Sequence, residues 1–593
     1  MFLRSVRVKD KDGAPRDYLR LVEAYWEDGR SKQRVVLSLG RKDLLEPHLD
    51  SLIRMFRGEQ SQFTTEKGDG EVRAEQAACW GTMMVVRHLW NELGLESILD
   101  ACEGKQKRLN KARLSDRAMV LVANRLSEPG SEHGLADWLE TDFACDRRGE
   151  RFLPEWKQQG RVRVDLNWLQ RWYRTLDELV AHKARIEQEL FGQLCTLFSL
   201  QVEMVFYDIT SSYFEGTGPA ELAKYGYSRD EKPQNRQVVV GLVMVDGWPI
   251  AHHVFPGNTQ DQTTVVEVLK DLEKRFGLKR VVFVGDRGMI TTDNVKEIRE
   301  RQQGYLMGVR RRRREETYKL IERATGQWIE CPAGIAATES GNPPKTKVQE
   351  VSSDTLGVRV FVVHSEEREA YERAMRERSM SRTRTDLEKL AARVKSGKLK
   401  SPEKIGEAAA RALSRNHGYR YYAWELVQSE FKFFEHPVHF IREKALEGKY
   451  LIQTEEKDLT PVEAVQSYKE LTEVEGAFRQ IKDVIEMRPI YHRRKERVEA
   501  HIFVAALAFL IHRTLEKKLK RTGLSMSANQ AFKALRTIQV VDLLIGDKHK
   551  RSTTPGSKRA QEVISALAIP DTNPPFSNNS KLRLVTKSPC PLI

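Results

Sequence analysis

Two aspartates stand in or just after apolar runs in the middle of the 593-residue chain. Asp208 lies in the run 204–210, and Asp286 follows the run 280–284. A buried carboxylate is costly unless it is paired, hydrogen-bonded or bound to a metal. Acids at strand ends in an open α/β sheet face the crevice where ligands bind. Either aspartate alone could equally cap a strand or a helix, but two in one sheet favour a functional site.

A third acid, Glu475, lies in a helical stretch and shares one helical face with aromatic, apolar and basic side chains, because spacings of three, four and seven residues stack on a helix. These side chains are Tyr468, Leu471, Phe478, Arg479 and Lys482. Three carboxylates in a dry pocket repel one another unless cations are present, and hard oxygen ligands suit Mg²⁺, with Mn²⁺ as a substitute. Two such ions can promote phosphoryl displacement, and Arg479 and Lys482 could hold phosphates. Taken alone, this face could also be a solvated ladder of salt bridges.

Five β-like runs and two helical patterns between residues 204 and 309 would position the two aspartates. They follow the order β-β-β-α-β-α-β. Asp246-Gly247 predicts a two-residue hairpin and an antiparallel strand pair, whereas strands separated by helices should be parallel. The expected fold class is therefore α/β, with a mixed sheet covered by helices.

The rest of the chain is expected to divide around this core. An N-terminal hairpin lobe and a helical region precede it, a mixed α/β insertion interrupts it, and a basic flexible tail follows. The expected boundaries are 1–70 for the β-rich lobe, 71–160 for the helical region, 161–203 for a helical connector, 204–309 and 456–545 for the two parts of the core, 310–455 for the insertion and 546–593 for the tail.

The ordered set of motifs resembles the DDE transposases of the insertion sequence four superfamily, and the whole chain is similar to their IS1634-type branch. The late helix is similar to the signature Tyr-x2-Arg-x3-Glu-x6-Lys, with Tyr468, Glu475 and Lys482 at its positions and Leu471 in place of the arginine. Residues 257–261, 286–289 and 488–492 also match. The resemblance implies a ribonuclease H-like core, and the long gap between Asp286 and Glu475 matches the family's insertion.

The same resemblance implies a transposase in which Asp208, Asp286 and Glu475 bind two Mg²⁺ ions. Such an enzyme nicks transposon ends and uses the freed 3′-hydroxyl to attack target DNA. The resemblance also assigns end binding to region 71–160 and a homodimer to the synaptic complex. Two rivals are a metal-dependent ribonuclease H-like nuclease without strand transfer and an inactive DNA-binding relic, although the presence of all three acids argues against the relic.

The charge of the chain favours double-stranded DNA as its partner. Lys and Arg number 99 and Asp and Glu number 84, which leaves a formal charge of +15 and predicts a polyanionic partner. Arg310, Arg311 and Arg312 follow the fifth strand and could clamp DNA phosphates, or could form a solvated charge run. Some family members stack a flipped base on an aromatic residue of the insertion; Trp328 and Trp424 are candidates, but core packing is the favoured interpretation of both.

The N-terminal residues show no secretory signal pattern. The longest apolar run, residues 502–511, is shorter than the roughly twenty residues that a spanning helix needs. We therefore expect a cytoplasmic, nucleoid-associated prokaryotic protein without a membrane partner.

Overall fold

The chain forms two units in the computed structural model, and a nine-stranded mixed sheet organises the larger one. The larger unit falls within residues 75–542 and 551–593, and the smaller within 1–74 and 543–550. The structure describes residues 2–9, 15–27, 30–41, 72–103, 112–155, 166–200, 202–289, 291–309, 315–332, 345–355, 357–545 and 548–575.

The N-terminal lobe is an antiparallel sheet of three described strands. They are β1 (Phe2–Lys9), β2 (Pro15–Glu27) and β3 (Arg30–Arg41). Glu27 pairs with Arg30 across β2 and β3, which confirms the predicted hairpin lobe.

The region predicted to be helical from residue 71 begins instead with a strand, β4 (Val72–Cys79). The Trp80 N–H donates to the Ile538 carbonyl at 2.9 Å, so pairing within the larger unit overrides the helix preference of the alanines before it. The helices that follow are α1 (Gly81–Glu92), α2 (Leu95–Glu103), α3 (Leu114–Ser127), α4 (Leu135–Thr141), α5 (Leu166–Ala181) and α6 (Lys183–Phe198).

The predicted core is confirmed strand by strand. Its elements are β5 (Met204–Tyr213), β6 (Gln237–Val245), β7 (Trp248–Pro256), α7 (Asp261–Phe276), β8 (Val282–Gly285), α8 (Thr292–Glu300) and β9 (Gly304–Gly308). The spatial order is β7-β6-β5-β8-β9. The β5–β6 and β6–β7 pairs are antiparallel, and the β5–β8 and β8–β9 pairs are parallel. This is the strand order of a ribonuclease H-like core.

The first β-hairpin of this core turns at the predicted residues. Asp246 and Gly247 both have positive φ angles, 47° and 70°, as a type I′ turn requires at both central positions. Val245 pairs with Trp248 on either side of the turn.

The insertion is mixed α/β, as predicted, and four of its strands extend the core sheet. Its first elements are α9 (Glu315–Glu322), β10 (Ile329–Cys331), β11 (Thr346–Val351) and β12 (Arg359–Ser365). Its last strand, β15 (Lys449–Thr454), pairs with β9 of the core and with β12. An open strand edge can pair with a further strand, and here the edge of β9 pairs with β15, so the core sheet continues into the insertion.

The middle of the insertion packs around a hydrophobic cluster of its own. Its elements are α10 (Glu366–Lys395), α11 (Pro402–Arg415), β13 (Tyr422–Val427), β14 (Glu430–Glu435) and α12 (His439–Ala445). Pro402 opens α11 directly after its N-cap Ser401, since proline is tolerated in the first turn of a helix but not inside it.

The C-terminal segment belongs to the larger unit except for residues 543–550, which belong to the smaller one. It contains α13 (Pro461–Asp483), α14 (Lys495–Arg521), α15 (Ala528–Leu535), β16 (Gln539–Ile545), β17 (Lys548–Thr553) and α16 (Lys558–Ala566). The flexible tail predicted from residue 546 is therefore wrong for residues 548–575. Ala560 and Val563 are fully buried, and Trp80 Nε1 donates to the Thr572 carbonyl at 2.8 Å.

Among the described residues, one helix is long and apolar enough to cross a membrane. This helix is α14, and 83% of its apolar window is buried inside the protein. It packs as a core helix, as the sequence predicts.

Candidate active site

Asp208 and Asp286 lie side by side on neighbouring parallel strands. The register pairs Tyr207 with Gly285. Asp208 directly follows Tyr207 in sequence, and Asp286 directly follows Gly285. Side chains alternate along a strand. Tyr207 therefore points into one hydrophobic layer, where its hydroxyl donates to Thr264 at 2.9 Å, and Asp208 faces the opposite side of the sheet, toward α13.

The helix α13 brings Glu475 to the same side of the sheet. Its first turn is fixed by a capping box, in which the Glu463 N–H donates to Thr460 Oγ1 and the Thr460 N–H donates to Glu463 Oε2 at 2.9 Å. Val474 and Phe478 are buried against the core beside Phe206. Glu475, on the outward face, is exposed.

The three acids act on one another electrostatically. Burial, and then the charges of Asp286 and Glu475, raise the pKa of Asp208 to about 7, while a backbone hydrogen bond at Ile209 and the charge of Arg229 oppose the rise. The pKa of Glu475 is raised by burial and then by Asp286, while Arg479 opposes the rise. The pKa of Asp208 therefore responds to both Asp286 and Glu475, and ionising all three carboxylates is unfavourable unless positive charge lies nearby.

A cavity of about 630 Å³ opens between Asp286 and Glu475. Its wall contains cations that the sequence interpretation did not single out: Arg287, Arg368 and Lys469. Arg287 follows Asp286 directly and could have been inferred from its position. Arg368 belongs to α10 of the insertion, and because that helix carries many charged residues, the sequence alone does not distinguish Arg368 from the others.

Tyr468 lines this cavity and Arg479 is exposed near Glu475. A Cβ atom on Gly308 would lie 2.2 Å from the Tyr468 hydroxyl, so glycine at the end of β9 leaves room for that ring. Leu471, at the arginine position of the signature, is 5% exposed and belongs to the core. The predicted DNA contacts of Tyr468 and Arg479 stay predictions.

Lys482, the third predicted contact on α13, is buried in an ion pair. Its Nζ donates to Asp230 Oδ1 at 2.8 Å, and Arg488 contacts the same carboxylate. Burial lowers the pKa of Lys482, although Asp230 acts in the opposite direction. Nothing in the sequence pattern links Asp230, which lies between β5 and β6, to this helix.

The remaining predicted residues fall away from the acid cluster or outside the described chain. Arg310, Arg311 and Arg312 lie outside the described residues. Trp328 packs edge-on to His364, with ring centroids 6.2 Å apart. Trp424 stacks on Phe431 at 5.5 Å. Both tryptophans join hydrophobic clusters, as core packing predicts.

Two motifs flanking the site meet in space. Asp261, at the start of α7, pairs through Oδ2 with Arg229 Nη2 at 3.0 Å. A Cβ on Gly288 would lie 3.4 Å from the same Oδ2. Residues 257–261 and 286–289, matched separately in the sequence, therefore lie close together at the candidate site.

Among the described residues, one group places three possible metal ligands within 4.8 Å of one another, and it is Glu132, His492 and His501 rather than the three predicted acids. Both ring nitrogens of His501 have partners, Arg125 Nη2 at 3.1 Å and the Met487 carbonyl at 2.9 Å. A buried guanidinium beside a ring nitrogen disfavours a cation there. We interpret this group as part of a hydrogen-bonded contact between α3, which carries Arg125, and α14, which carries His501.

Comparison with known families agrees with the site. The family model described as a transposase DDE domain matches residues 203–511, more than half of the chain. The chain belongs to the DDE transposases. A second model, the IS1634 family transposase N-terminal domain, matches residues 3–66, so this is a transposase of the IS1634 type, as the motifs predict.

No curated protein matches the sequence of this transposase. Among solved structures, a similar fold occurs in the piggyBac transposase synaptic complex with hairpin DNA, at 11% identity and a TM-score of 0.34. The match covers 77% of this chain and 79% of the other. We draw no conclusion from so distant a likeness.

Proposed function

We propose that this transposase cuts DNA at the ends of its element and joins the freed 3′-hydroxyl to target DNA, with Asp208, Asp286 and Glu475 as its catalytic acids. The observation that carries the proposal is the register of Tyr207 with Gly285, which sets the two aspartates side by side beneath the helix of Glu475. The charges of Asp286 and Glu475 both raise the pKa of Asp208.

DDE transposases generally use divalent metal ions, and the donor set here fits such ions. The three acids offer carboxylate oxygens, which Mg²⁺ and Mn²⁺ prefer, and burial and the neighbouring acids, which raise the pKa of Asp208, make a cation there favourable. When bound, two Mg²⁺ ions would activate the attacking oxygen and stabilise the leaving one. Asp208, Asp286 and Glu475 would hold them.

The protein's own cations would hold the DNA. Arg287, Arg368 and Lys469 line the cavity beside Asp286 and would position the phosphates on either side of the scissile bond. Tyr468, Arg479, Lys482 and the arginines 310–312 are the further proposed contacts. Water attack on one strand yields a 3′-hydroxyl and a 5′-phosphate. Attack of that hydroxyl on target DNA then joins the two and releases a target 3′-hydroxyl.

Two ends must be held together before they are joined, so the active form is proposed to be a homodimer on double-stranded DNA. Region 71–160 is proposed to recognise the ends. The proposed location is the cytoplasm, in association with the nucleoid.

Joining of a precut DNA end to a supercoiled plasmid in Mg²⁺ tests the proposal. The wild type should join, and Asp208→Asn, Asp286→Asn and Glu475→Gln should each lose activity by at least about a thousandfold. Asp246→Asn is the matched control, since Asp246 lies in a turn with its side chain 70% exposed. Cleavage without joining would indicate a nuclease, and full joining by Asp208→Asn would contradict the mechanism.

A further inference from the structure

Two tyrosines stand out from the long connection between β5 and β6. Tyr225 is 64% exposed and Tyr227 is 78% exposed, and only Gly226 separates them. The proposed chemistry uses neither ring. A single exposed ring is ordinary, but two large exposed rings side by side form a patch of the kind that marks a binding surface.

The backbone beneath the two rings is firmly held. A Cβ on Gly226 would lie 1.9 Å from the Gly257 carbonyl oxygen, an approach that only glycine permits. Lys224 and Gln237 exchange backbone hydrogen bonds of 3.2 and 2.7 Å. The rings therefore project from a fixed base, which lowers the entropy cost of binding a ligand.

An arginine lies against each ring. The guanidinium carbon of Arg236 is 5.8 Å from the Tyr225 centroid, and that of Arg229 is 5.6 Å from the Tyr227 centroid, both within cation–π distance. Rings and guanidinium groups side by side suit a nucleic acid strand, because the rings stack on bases and the cations meet phosphates. We name Tyr225, Tyr227 and Arg236 the tyrosine platform.

Arg229 connects the platform to the acid cluster. Its backbone N–H donates to Ser211 Oγ on β5 at 2.8 Å, and its side chain pairs with Asp261 at 3.0 Å. Its positive charge also lowers the pKa of Asp208. A DNA strand with a phosphate at Asp208 would therefore pass close to the tyrosine platform.

We propose that the tyrosine platform binds unpaired nucleotides next to the cleaved phosphate, with Tyr225 and Tyr227 stacking on bases and Arg236 contacting the backbone. The inference rests on the proposed function, since its ligand is the DNA of that reaction. Duplex DNA held only through its phosphates is the competing outcome.

Fluorescence binding without divalent metal tests the platform separately from catalysis. The probes are a short forked duplex with 2-aminopurine in its unpaired arm and a blunt duplex of the same sequence. Tyr225→Ala and Tyr227→Ala should each weaken binding of the forked probe about tenfold and restore 2-aminopurine fluorescence, with the blunt probe nearly unaffected. Tyr227→Phe, which keeps the ring, should behave as wild type.

Tyr419→Ala is the matched control. Tyr419 is 45% exposed, lies in the insertion, and has Arg420 5.9 Å from its ring centroid. Forked-probe binding that is unchanged in both platform variants, or that falls equally in Tyr419→Ala, would overturn the proposal. An equal loss on both probes would assign phosphate binding instead. A wild type that binds the forked probe through the platform but never joins DNA would refute the proposed function and leave the platform standing.

Discussion

Lys482 and Asp230 form a buried ion pair, with Nζ 2.8 Å from Oδ1 and side chains only 9% and 3% exposed. Arg488 contacts both that carboxylate and Asp483, so one acid between β5 and β6 contacts two cations at the end of α13. The lysine at the signature position therefore fastens α13 to the same connection that carries the exposed tyrosines.

Asp230→Asn should lower the free energy of unfolding by about 3 kcal/mol, because removing one partner of a buried pair leaves the other charge uncompensated. Urea unfolding followed by circular dichroism measures the change. Asp354→Asn is the control: Asp354 pairs with Arg323 at 3.0 Å but is 80% exposed, so its loss should cost less than about 1 kcal/mol. Equal losses in the two variants would contradict an anchoring role for Asp230.

Mn²⁺ binding to the acid cluster should weaken as pH falls below about 7. Burial, and then the neighbouring acids, raise the pKa of Asp208 to about 7. Above that pH the carboxylate is ionised and free to bind, whereas below it a proton competes with the metal. Calorimetric titration on either side of pH 7 measures this dependence. Asp208→Asn should lose both the affinity for Mn²⁺ and its pH dependence. Asp246→Asn, at an exposed position, should retain both. An unchanged pH dependence in Asp208→Asn would refute the assignment.

Gly308→Ala should strongly reduce DNA joining while leaving the fold intact, because the added Cβ would lie 2.2 Å from the Tyr468 hydroxyl and 3.0 Å from Cζ. Removing the hydroxyl leaves a much milder contact. The double variant Gly308→Ala with Tyr468→Phe should therefore regain activity relative to Gly308→Ala. The plasmid-joining assay reports both effects, and no recovery in the double variant would show that the clash lies elsewhere.

Arg479→Gln should weaken binding of duplex DNA and reduce the salt dependence by about one phosphate contact. Arg479 is exposed beside Glu475, so its loss should not unfold the helix. Fluorescence anisotropy across a salt series measures the slope. Arg411→Gln on the insertion, where the arginine is 76% exposed, should leave that slope unchanged; the same change in both would indicate general charge loss.

Local patterns predicted the core well because its elements are marked by features that act over a few residues. Asp246-Gly247 predicted the I′ turn, and the apolar runs predicted β5 to β9. The interval between Asp286 and Glu475 predicted an insertion. Predictions failed where pairing across the chain overrode local preference: residues 72–79 form a strand, and residues 548–575 pack as β17, α16 and the chain beyond instead of forming a tail.

The sequence by itself determined the three acids, the strand order that carries two of them and the family to which they belong. Only the tertiary structure decided what surrounds them. It placed Arg368 of the insertion in the cavity wall, Asp230 against Lys482, and Arg229 between the acids and the exposed tyrosines. Side-chain periodicity acts over neighbouring residues and can be read from one chain, whereas contacts between distant segments depend on how the sheet and helices pack, which no local pattern records.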